Sequence, residues 1–197
     1  RRAVLYCGSA GLVSVLARDM AQEGELRRDG DPGLAIPPKR GPVVVAVGSG
    51  SVMAHAQIAR LRNVHGCVAV EAGGTASVVD SAASLDARVL LFHLPRPNDS
   101  TQFEGPEARA MADRLAQCVV EALHGSGANR LVLVGGDTAM QVLARLGVGR
   151  LEVRGEIQPG MPLVTGDDAG GFARVVVLKA GNHGTEESLV EIVRALM

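Results

Sequence analysis

The chain has 197 residues, of which 47% are hydrophobic but only 2% are aromatic, and its formal net charge at pH 7 is −1. A core of Val, Leu, Ile and Ala is typical of strands buried on both faces, and a chain of this length most simply forms one domain. The balanced charge and the lack of a long apolar run exclude a nucleic-acid or membrane partner, and three cysteines without metal-like spacing favour a cytoplasmic location.

The first 42 residues carry one predicted helix between irregular segments. Val4–Cys7 is predicted to be a short strand with Cys7 in the core, and the turn at residues 8–11 is followed by apolar residues at helical spacing. The chain begins at Arg1 without Met, so we expect a fragment of a longer chain. Residues 23–42 are rich in Gly, Pro and mixed charge, which predicts a linker or a surface loop.

From residue 43 onward the pattern alternates between strand and helix. Strands are predicted at Val43–Val47, Cys67–Val70, Arg88–Leu94, Leu131–Val134 and Phe172–Lys179. Helices are predicted after the turns at residues 48–51 and 135–138, the second closed by Gly147, over Glu104–Leu123, and at Leu189–Leu196. Turn chemistry at Pro159-Gly160 predicts a β excursion near residues 151–166. The fold class is α/β, a largely parallel sheet with helices on both faces in a three-layer, Rossmann-like arrangement.

Four glycine turns stand where helices are predicted to follow strands, at residues 8–11, 48–51, 73–75 and 135–138. In an open α/β sheet such turns lie at the carboxyl ends of the strands, where helix N–H groups can bind phosphate. None has the P-loop spacing, and the Gly-x-Gly-x-x-Gly fingerprint of dinucleotide-binding enzymes is absent from the first turn. Each turn taken alone is better explained as a chain reversal followed by a Ser, Asp or Thr helix cap.

Lys179 stands beside the last glycine-rich segment of the chain. It ends a predicted strand, where it could neutralise a phosphate, or it could extend along the surface to solvent. The residues alone leave both interpretations open. The five histidines are scattered over different elements without paired spacing, so no metal site is predicted.

Three motifs in order resemble the C-terminal nucleotide-binding domain of the four-carbon acid sugar kinase family. The family's Gly-Ser-x-Ser pattern, its Gly-Gly-Asp/Glu-Thr signature and its Lys-x-Gly-Asn-Phe-Gly signature are matched by Gly48–Ser51 with Gln57-Ile58, by Gly135–Thr138, and by Lys179–Gly184. His183 stands where Phe is usual, and Ala54 where Thr is frequent, so base or ribose contacts are expected to differ. The resemblance runs over nearly the whole chain.

The resemblance implies a kinase that transfers the γ-phosphoryl group of ATP to a threonate, an erythronate or a 3-oxo-tetronate, with Mg²⁺ bridging the phosphates. It implies that residues 1–22 join a missing N-terminal substrate domain, and that residues 43–197 bind ATP without turnover in this fragment. The implied nucleotide-binding residues are Ser49, Ser51, Gly135, Gly136, Asp137, Thr138, Lys179, Gly181, Asn182 and Gly184. Asp137 and Lys179 are also the candidates for a catalytic role, which is otherwise unassigned; Asp137 suits a helix cap better than a metal ligand.

Two other functions stay open at this point. A non-catalytic α/β module could bind a small metabolite or a partner subunit at the same strand ends, and competition between ATP and simple phosphate would separate it from a kinase domain. An NAD-linked oxidoreductase is suggested by the sheet pattern alone, and the absent dinucleotide-binding fingerprint disfavours it. The acceptor sugar acid and the oligomeric state, including a homo-oligomer, are not specified by these residues.

Overall fold

The computed structural model describes residues 5–24, 36–72, 87–95 and 105–197. The chain divides into two compact units, Arg1–Ala35 and Ile36–Met197. In the first unit helix α1 spans Ala10–Gln22, where apolar spacing predicts a helix. Residues 5–7 are exposed and form no strand, so the strand prediction is wrong for the part that is described, and so is the prediction of a buried Cys7. A short strand is stable only when its side chains are buried against other strands or helices, and the side chains of residues 5–7 are not buried.

Several predictions lie partly or wholly outside the described residues, at residues 1–4 of the junction and first strand, 25–35 of the linker, 73–75 of the glycine turn, and 104 of the predicted long helix. The described end of the predicted linker, residues 36–42, belongs to the second unit. Asn129 donates a hydrogen bond to Pro38 O at 2.9 Å and accepts one from Arg40 N at 2.9 Å.

The second unit is built on a seven-stranded sheet with the order β2-β3-β1-β4-β7-β6-β5. The strands are β1 (Val43–Val47), β2 (Cys67–Glu71), β3 (Val89–His93), β4 (Arg130–Val134), β5 (Glu152–Gln158), β6 (Met161–Asp167) and β7 (Ala173–Lys179). Strands β1 to β4 and β7 are parallel, whereas β5 and β6 form an antiparallel hairpin that joins the sheet through β7. The predicted parallel α/β sheet and its β excursion are confirmed.

Among the residues that the structure describes, four helices cover this sheet: α2 (Val52–Arg62), α3 (Gly105–Ser126), α4 (Gly136–Leu146) and α5 (Ser188–Leu196). Helices α2 and α5 pack on one face, and α3 and α4 on the other, which confirms the three layers. Strand β1 is buried on both faces, which explains its unbroken apolar run. Gly147 closes α4 in the left-handed conformation, as predicted. No helix within the described residues is long and apolar enough to cross a membrane.

The strand order creates a crevice between β1 and β4. Strand β1 leads through α2 to β2 on one side of the sheet, whereas β4 leads through α4 to the hairpin on the other side. Neighbouring strands whose connections leave in opposite directions leave a gap at their carboxyl ends, and ligands of open α/β sheets bind there. The turns that begin at Gly48 and Gly135 lie at this point of the sheet.

Candidate functional site

The two glycine turns in the crevice pack against each other. Gly48 N donates a hydrogen bond to Val134 O at 3.2 Å. A Cβ added to Gly48 would overlap Thr138 Oγ1, so only glycine lets the β1 turn approach α4 this closely. Two motifs that are 87 positions apart from Gly48 to Gly135 therefore form one surface.

The N-terminus of α4 is open, whereas that of α2 is closed by a side chain. Ser51 Oγ caps α2 by accepting a hydrogen bond from Ala54 N at 3.1 Å. In α4 the N-cap residue is Gly135, and no side chain caps the first turn. Asp137 is exposed in that turn, so the interpretation of Asp137 as the helix cap is wrong. Uncapped amide groups at a helix N-terminus are suited to bind an anion.

Lys179 ends β7 beside this helix N-terminus and is only 4% exposed. Its carbonyl oxygen accepts a hydrogen bond from Gly135 N at 2.9 Å, and its Nζ donates one to Ala180 O at 2.9 Å. Burial lowers the pKa of the amine from 10.5 to about 8. Within the described residues Lys179 forms no ion pair with a carboxylate. The side chain is therefore not the surface lysine that one interpretation of the sequence allowed.

A pocket of about 300 Å³ lies between these elements. It is lined by Leu133, Gly135, Gly136, Ala139, Gly160, Pro162, Leu178, Lys179 and Ala180. Among the described residues of this lining, Lys179 is the one charged residue. The others are glycines or have apolar side chains. The pocket thus combines an apolar wall with a cation and the open N-terminus of α4.

The loop that follows Lys179 is held against the β1 turn. Ser51 Oγ donates a hydrogen bond to Gly181 O at 2.9 Å, and Ser49 Oγ donates one to Ser51 Oγ at 3.2 Å. A Cβ added to Gly181 would overlap Ser49 Oγ, so packing alone requires glycine here. The third motif therefore joins the first two, and both serine hydroxyl hydrogens are already bonded within the protein.

Gln57 on α2 fixes the far end of this loop. The side chain is fully buried, and its Nε2 donates hydrogen bonds to His183 O at 3.1 Å and to Thr185 O at 2.7 Å. Its Oε1 is buried without a hydrogen-bond partner in the part of the chain that the structure describes. Gln57 lies within a predicted motif but is not among the predicted site residues, because partners 126 and 128 positions away leave no trace in local spacing.

Replacing Gln57 by Leu is expected to lower the free energy of unfolding by about 1–2 kcal/mol, because two loop carbonyl groups lose their donor. Urea unfolding of the variant would measure this loss. Gln117→Leu is the matched control, since Gln117 lies exposed on α3 and bonds only a neighbouring glutamate. Equal stability of the two variants would show that Gln57 does not hold the loop.

His183 links the loop to the β5–β6 turn. Its Nε2 lies 2.8 Å from Pro159 O, a carbonyl that can only accept, so Nε2 is the donor. Gly184, with φ of +82°, packs where an added Cβ would overlap Ser188 Oγ. The loop of residues 180–185 is thus held from α2 on one side and from the hairpin on the other.

All ten predicted nucleotide-binding residues lie at the carboxyl ends of β1, β4 and β7, but they differ in accessibility. Thr138 is only 2% exposed and packs against Gly48. Gly136, Asp137 and Asn182 are exposed, and an added Cβ on Gly136 would meet no atom within 4 Å. No group of three or more His, Cys, Asp or Glu side chains suited to a metal ion occurs among the described residues.

Most of the second unit matches a known protein family. A family model described as "Nucleotide-binding C-terminal domain" matches residues 44–189. The chain belongs to this family. The match confirms the resemblance to the C-terminal domain of the four-carbon acid sugar kinases. The three motifs predicted that resemblance for this nucleotide-binding C-terminal domain.

Named relatives of this nucleotide-binding domain are sugar-acid kinases. A D-threonate kinase of Cupriavidus necator is 31% identical over 93% of the chain and 45% of that protein. A 3-oxo-tetronate kinase of the same organism is 29% identical over 98% of the chain and 46% of that protein. A crystallised domain of unknown function (DUF1537) from Bordetella bronchiseptica, solved with bound citrate, is 26% identical with a TM-score of 0.66, over 81% of this chain and 42% of that one. The chain spans about half the length of the curated relatives it matches.

Proposed function

We propose that this chain is the ATP-binding part of a kinase that phosphorylates a four-carbon sugar acid. The observation that carries the proposal is Lys179, a buried ammonium group that lacks a carboxylate partner among the described residues and lies beside the open N-terminus of α4. A cation is rarely kept in the interior without a counter-charge, because its desolvation costs several kcal/mol. A bound phosphate group supplies that counter-charge.

The phosphate groups of ATP bind at the first turn of α4. The amide groups of Gly136 and its neighbours have no side-chain cap there, and Lys179 brings a positive charge to the same pocket. This is the positioning and charge stabilisation on which phosphoryl transfer depends. The two serines of the β1 turn act differently from what the motif implies: Ser49 and Ser51 bond each other and Gly181, so they shape the site instead of donating to phosphate.

The residues of the site could bind Mg²⁺ only together with the phosphates of a bound nucleotide. The exposed carboxylate of Asp137 is the acidic group in the first turn of α4. Mg²⁺ usually keeps several waters and is held by one or two carboxylates together with substrate phosphates. Asp137 would therefore hold Mg²⁺ directly or through water, and the ion, when bound, neutralises charge on the transferred phosphoryl group.

The names of the relatives support a threonate-type or 3-oxo-tetronate-type acceptor. Because the chain spans about half of those proteins, the sugar acid is expected to bind to an N-terminal domain of the parent protein, and this chain binds ATP without turning over substrate. Three free cysteines are compatible with the cytoplasm as the place of the reaction.

Replacing Gly136 by Val is expected to weaken ATP binding by about tenfold or more while leaving the melting temperature nearly unchanged. The Cβ of the new side chain meets no atom within 4 Å, and the side chain would enter the pocket and obstruct the amide groups of α4. Calorimetry with ATP and Mg²⁺ measures the affinity. Gly149→Val is the matched control, since it is also unobstructed but lies outside the pocket lining.

Two results would contradict the proposal. Absence of binding heat at millimolar ATP in the unmodified chain would remove the function, and unchanged affinity in Gly136→Val would remove the site. Equal competition by simple phosphate and ATP would instead favour the non-catalytic metabolite-binding module, since such a module needs no selectivity for ATP.

A further inference from the structure

The pocket has two chemically different parts. Gly135, Gly136 and Lys179 bring amide groups and a positive charge, whereas Gly160 and Pro162, from the turn and the start of β6, bring an uncharged wall. The phosphate groups of a nucleotide match the first part, and the base and ribose, which are uncharged, match the second. The position of the hairpin tip, residues 158–161, therefore determines how much room the nucleoside has.

An exposed hydrogen bond joins His183 to the hairpin tip. Its Nε2 donates a hydrogen bond to Pro159 O at 2.8 Å. The next residue, Gly160, has φ of +75°, and an added Cβ would lie 2.9 Å from the same Nε2 atom. The imidazole ring thus rests against the backbone of the tip itself, at the residue that lines the pocket.

His183 is anchored in turn by the rest of the site. Its backbone oxygen accepts the hydrogen bond from Gln57 Nε2 at 3.1 Å, and its backbone N donates to Ala180 O at 3.2 Å. The tip has other contacts as well: Gln158 pairs with Met161 across the hairpin and donates a side-chain hydrogen bond to Glu191 Oε2 on α5. Gly160 N donates a hydrogen bond to Glu156 Oε1 at 3.3 Å, which is exposed like the bond from His183 to Pro159 O. A fixed path of contacts therefore runs from α2 through His183 to the pocket wall.

We propose that His183 is a positioning residue that sets the nucleoside side of the pocket by fixing the hairpin tip. It acts through Pro159 and Gly160 and does not touch the nucleotide. The phosphate side, at Gly136 and Lys179, is independent of it. This inference rests on the proposed function, because it assumes that the ligand is a nucleotide.

The test compares ATP with inorganic tripolyphosphate, each with Mg²⁺, by calorimetry on the 197-residue chain. His183→Phe keeps a ring but removes the donor, and it is expected to weaken ATP binding about tenfold while leaving tripolyphosphate binding unchanged. His183→Gln retains an N–H donor and is expected to restore most of the ATP affinity. His65→Phe, the same change at an exposed position before β2, is the control and should alter neither affinity.

Equal weakening of both ligands in His183→Phe, or no change in either, would overturn the inference while leaving the proposed function intact. Failure of the unmodified chain to bind either ligand would overturn the proposed function, and the inference with it. If His183→Phe does not fold, Gly160→Ala provides a second route, because its Cβ would push the tip away from His183. The same loss confined to ATP is expected there, and equal loss of both ligands would again count against the role of the tip.

Discussion

Replacing Lys179 by Met is expected to raise the thermal stability of the chain and to weaken its affinity for ATP by at least about tenfold. The two effects have one cause. The ammonium group is buried without a carboxylate partner among the described residues, so the folded protein without ligand bears its desolvation cost. Methionine fills a similar volume without that cost, and we expect a gain of about 1–2 kcal/mol at pH 7. Ala180 O still accepts a hydrogen bond from His183 N in the variant.

The pH dependence of both effects follows from the lowered pKa. Below about pH 8 the amine is charged in the folded and the unfolded chain, so the stabilisation by methionine is largest there. Between about 8 and 10.5 the folded chain loses its proton first, and the difference in stability between the two proteins shrinks. ATP affinity of the unmodified chain is expected to fall as the pH rises through about 8, because the neutral amine no longer attracts phosphate.

Scanning calorimetry and ATP titration at pH 7 and pH 9 would measure these changes. Lys39→Met is a closely matched control, since Lys39 is the other lysine of the chain and is exposed. It should change neither the melting temperature nor the affinity. A Lys179→Met protein that is less stable than the unmodified chain would mean that the protein itself already stabilises the buried amine. The amine would then not need a bound anion as its counter-charge.

Replacing Gly181 by Ala is expected to destabilise the chain by about 2–3 kcal/mol and to reduce ATP affinity in parallel. The new methyl group would overlap the side chain of Ser49, and both residues lie on backbone turns that are bonded to each other through Ser51. The loop and the β1 turn cannot both keep their positions, so the wall of the pocket at Ala180 shifts. Urea unfolding and calorimetry would measure the two losses.

The cause of this loss can be isolated by a double mutant. Ser49→Gly removes the atoms that the new methyl group would meet, and the next nearest atom, Ser51 Oγ, is 3.7 Å away. Combining the two changes should recover much of the stability lost by Gly181→Ala alone, so the coupling energy should be about 1–3 kcal/mol. Gly125→Ala, which meets no atom within 4 Å, serves as the control. Simple additivity of the two changes would show that the steric explanation is wrong.

The layers of the fold could be predicted because the apolar runs and the glycines at helix ends have the burial and the backbone conformation that the sequence indicates. The apolar run Val43–Val47 is buried throughout, and Gly147 takes the left-handed conformation that its position after a helix predicts. The run at Val4–Cys7 shows the limit of this reasoning. Short apolar segments have similar composition whether or not a neighbouring strand covers them, and Leu5 is 94% exposed.

The fold brings the residues of the three predicted motifs together, but the motifs did not predict the contacts that each residue makes. Ser51 and Thr138 have the side chains that phosphate contacts would need, yet Ser51 caps α2 and Thr138 is buried against Gly48. The contacts of Gln57 and His183 that shape the site cross between distant segments of the chain. Such pairings depend on tertiary geometry, which the spacing within a motif does not contain.

The position of β7 in the sheet has a consequence for how the chain acquires its site. Strand β7 follows β5 and β6 in the chain, yet it lies between β4 and β6, and the β5–β6 hairpin reaches the parallel strands only through it. During synthesis the hairpin therefore has no place to dock, and the exposed edge of β4 stays unpaired, until residues 173–179 emerge from the ribosome. Lys179 and the loop that follows arrive with that strand. The pocket beside Lys179 is thus completed in the same step as the sheet, so, under the proposed function, we expect partly synthesised chains to have no affinity for nucleotide.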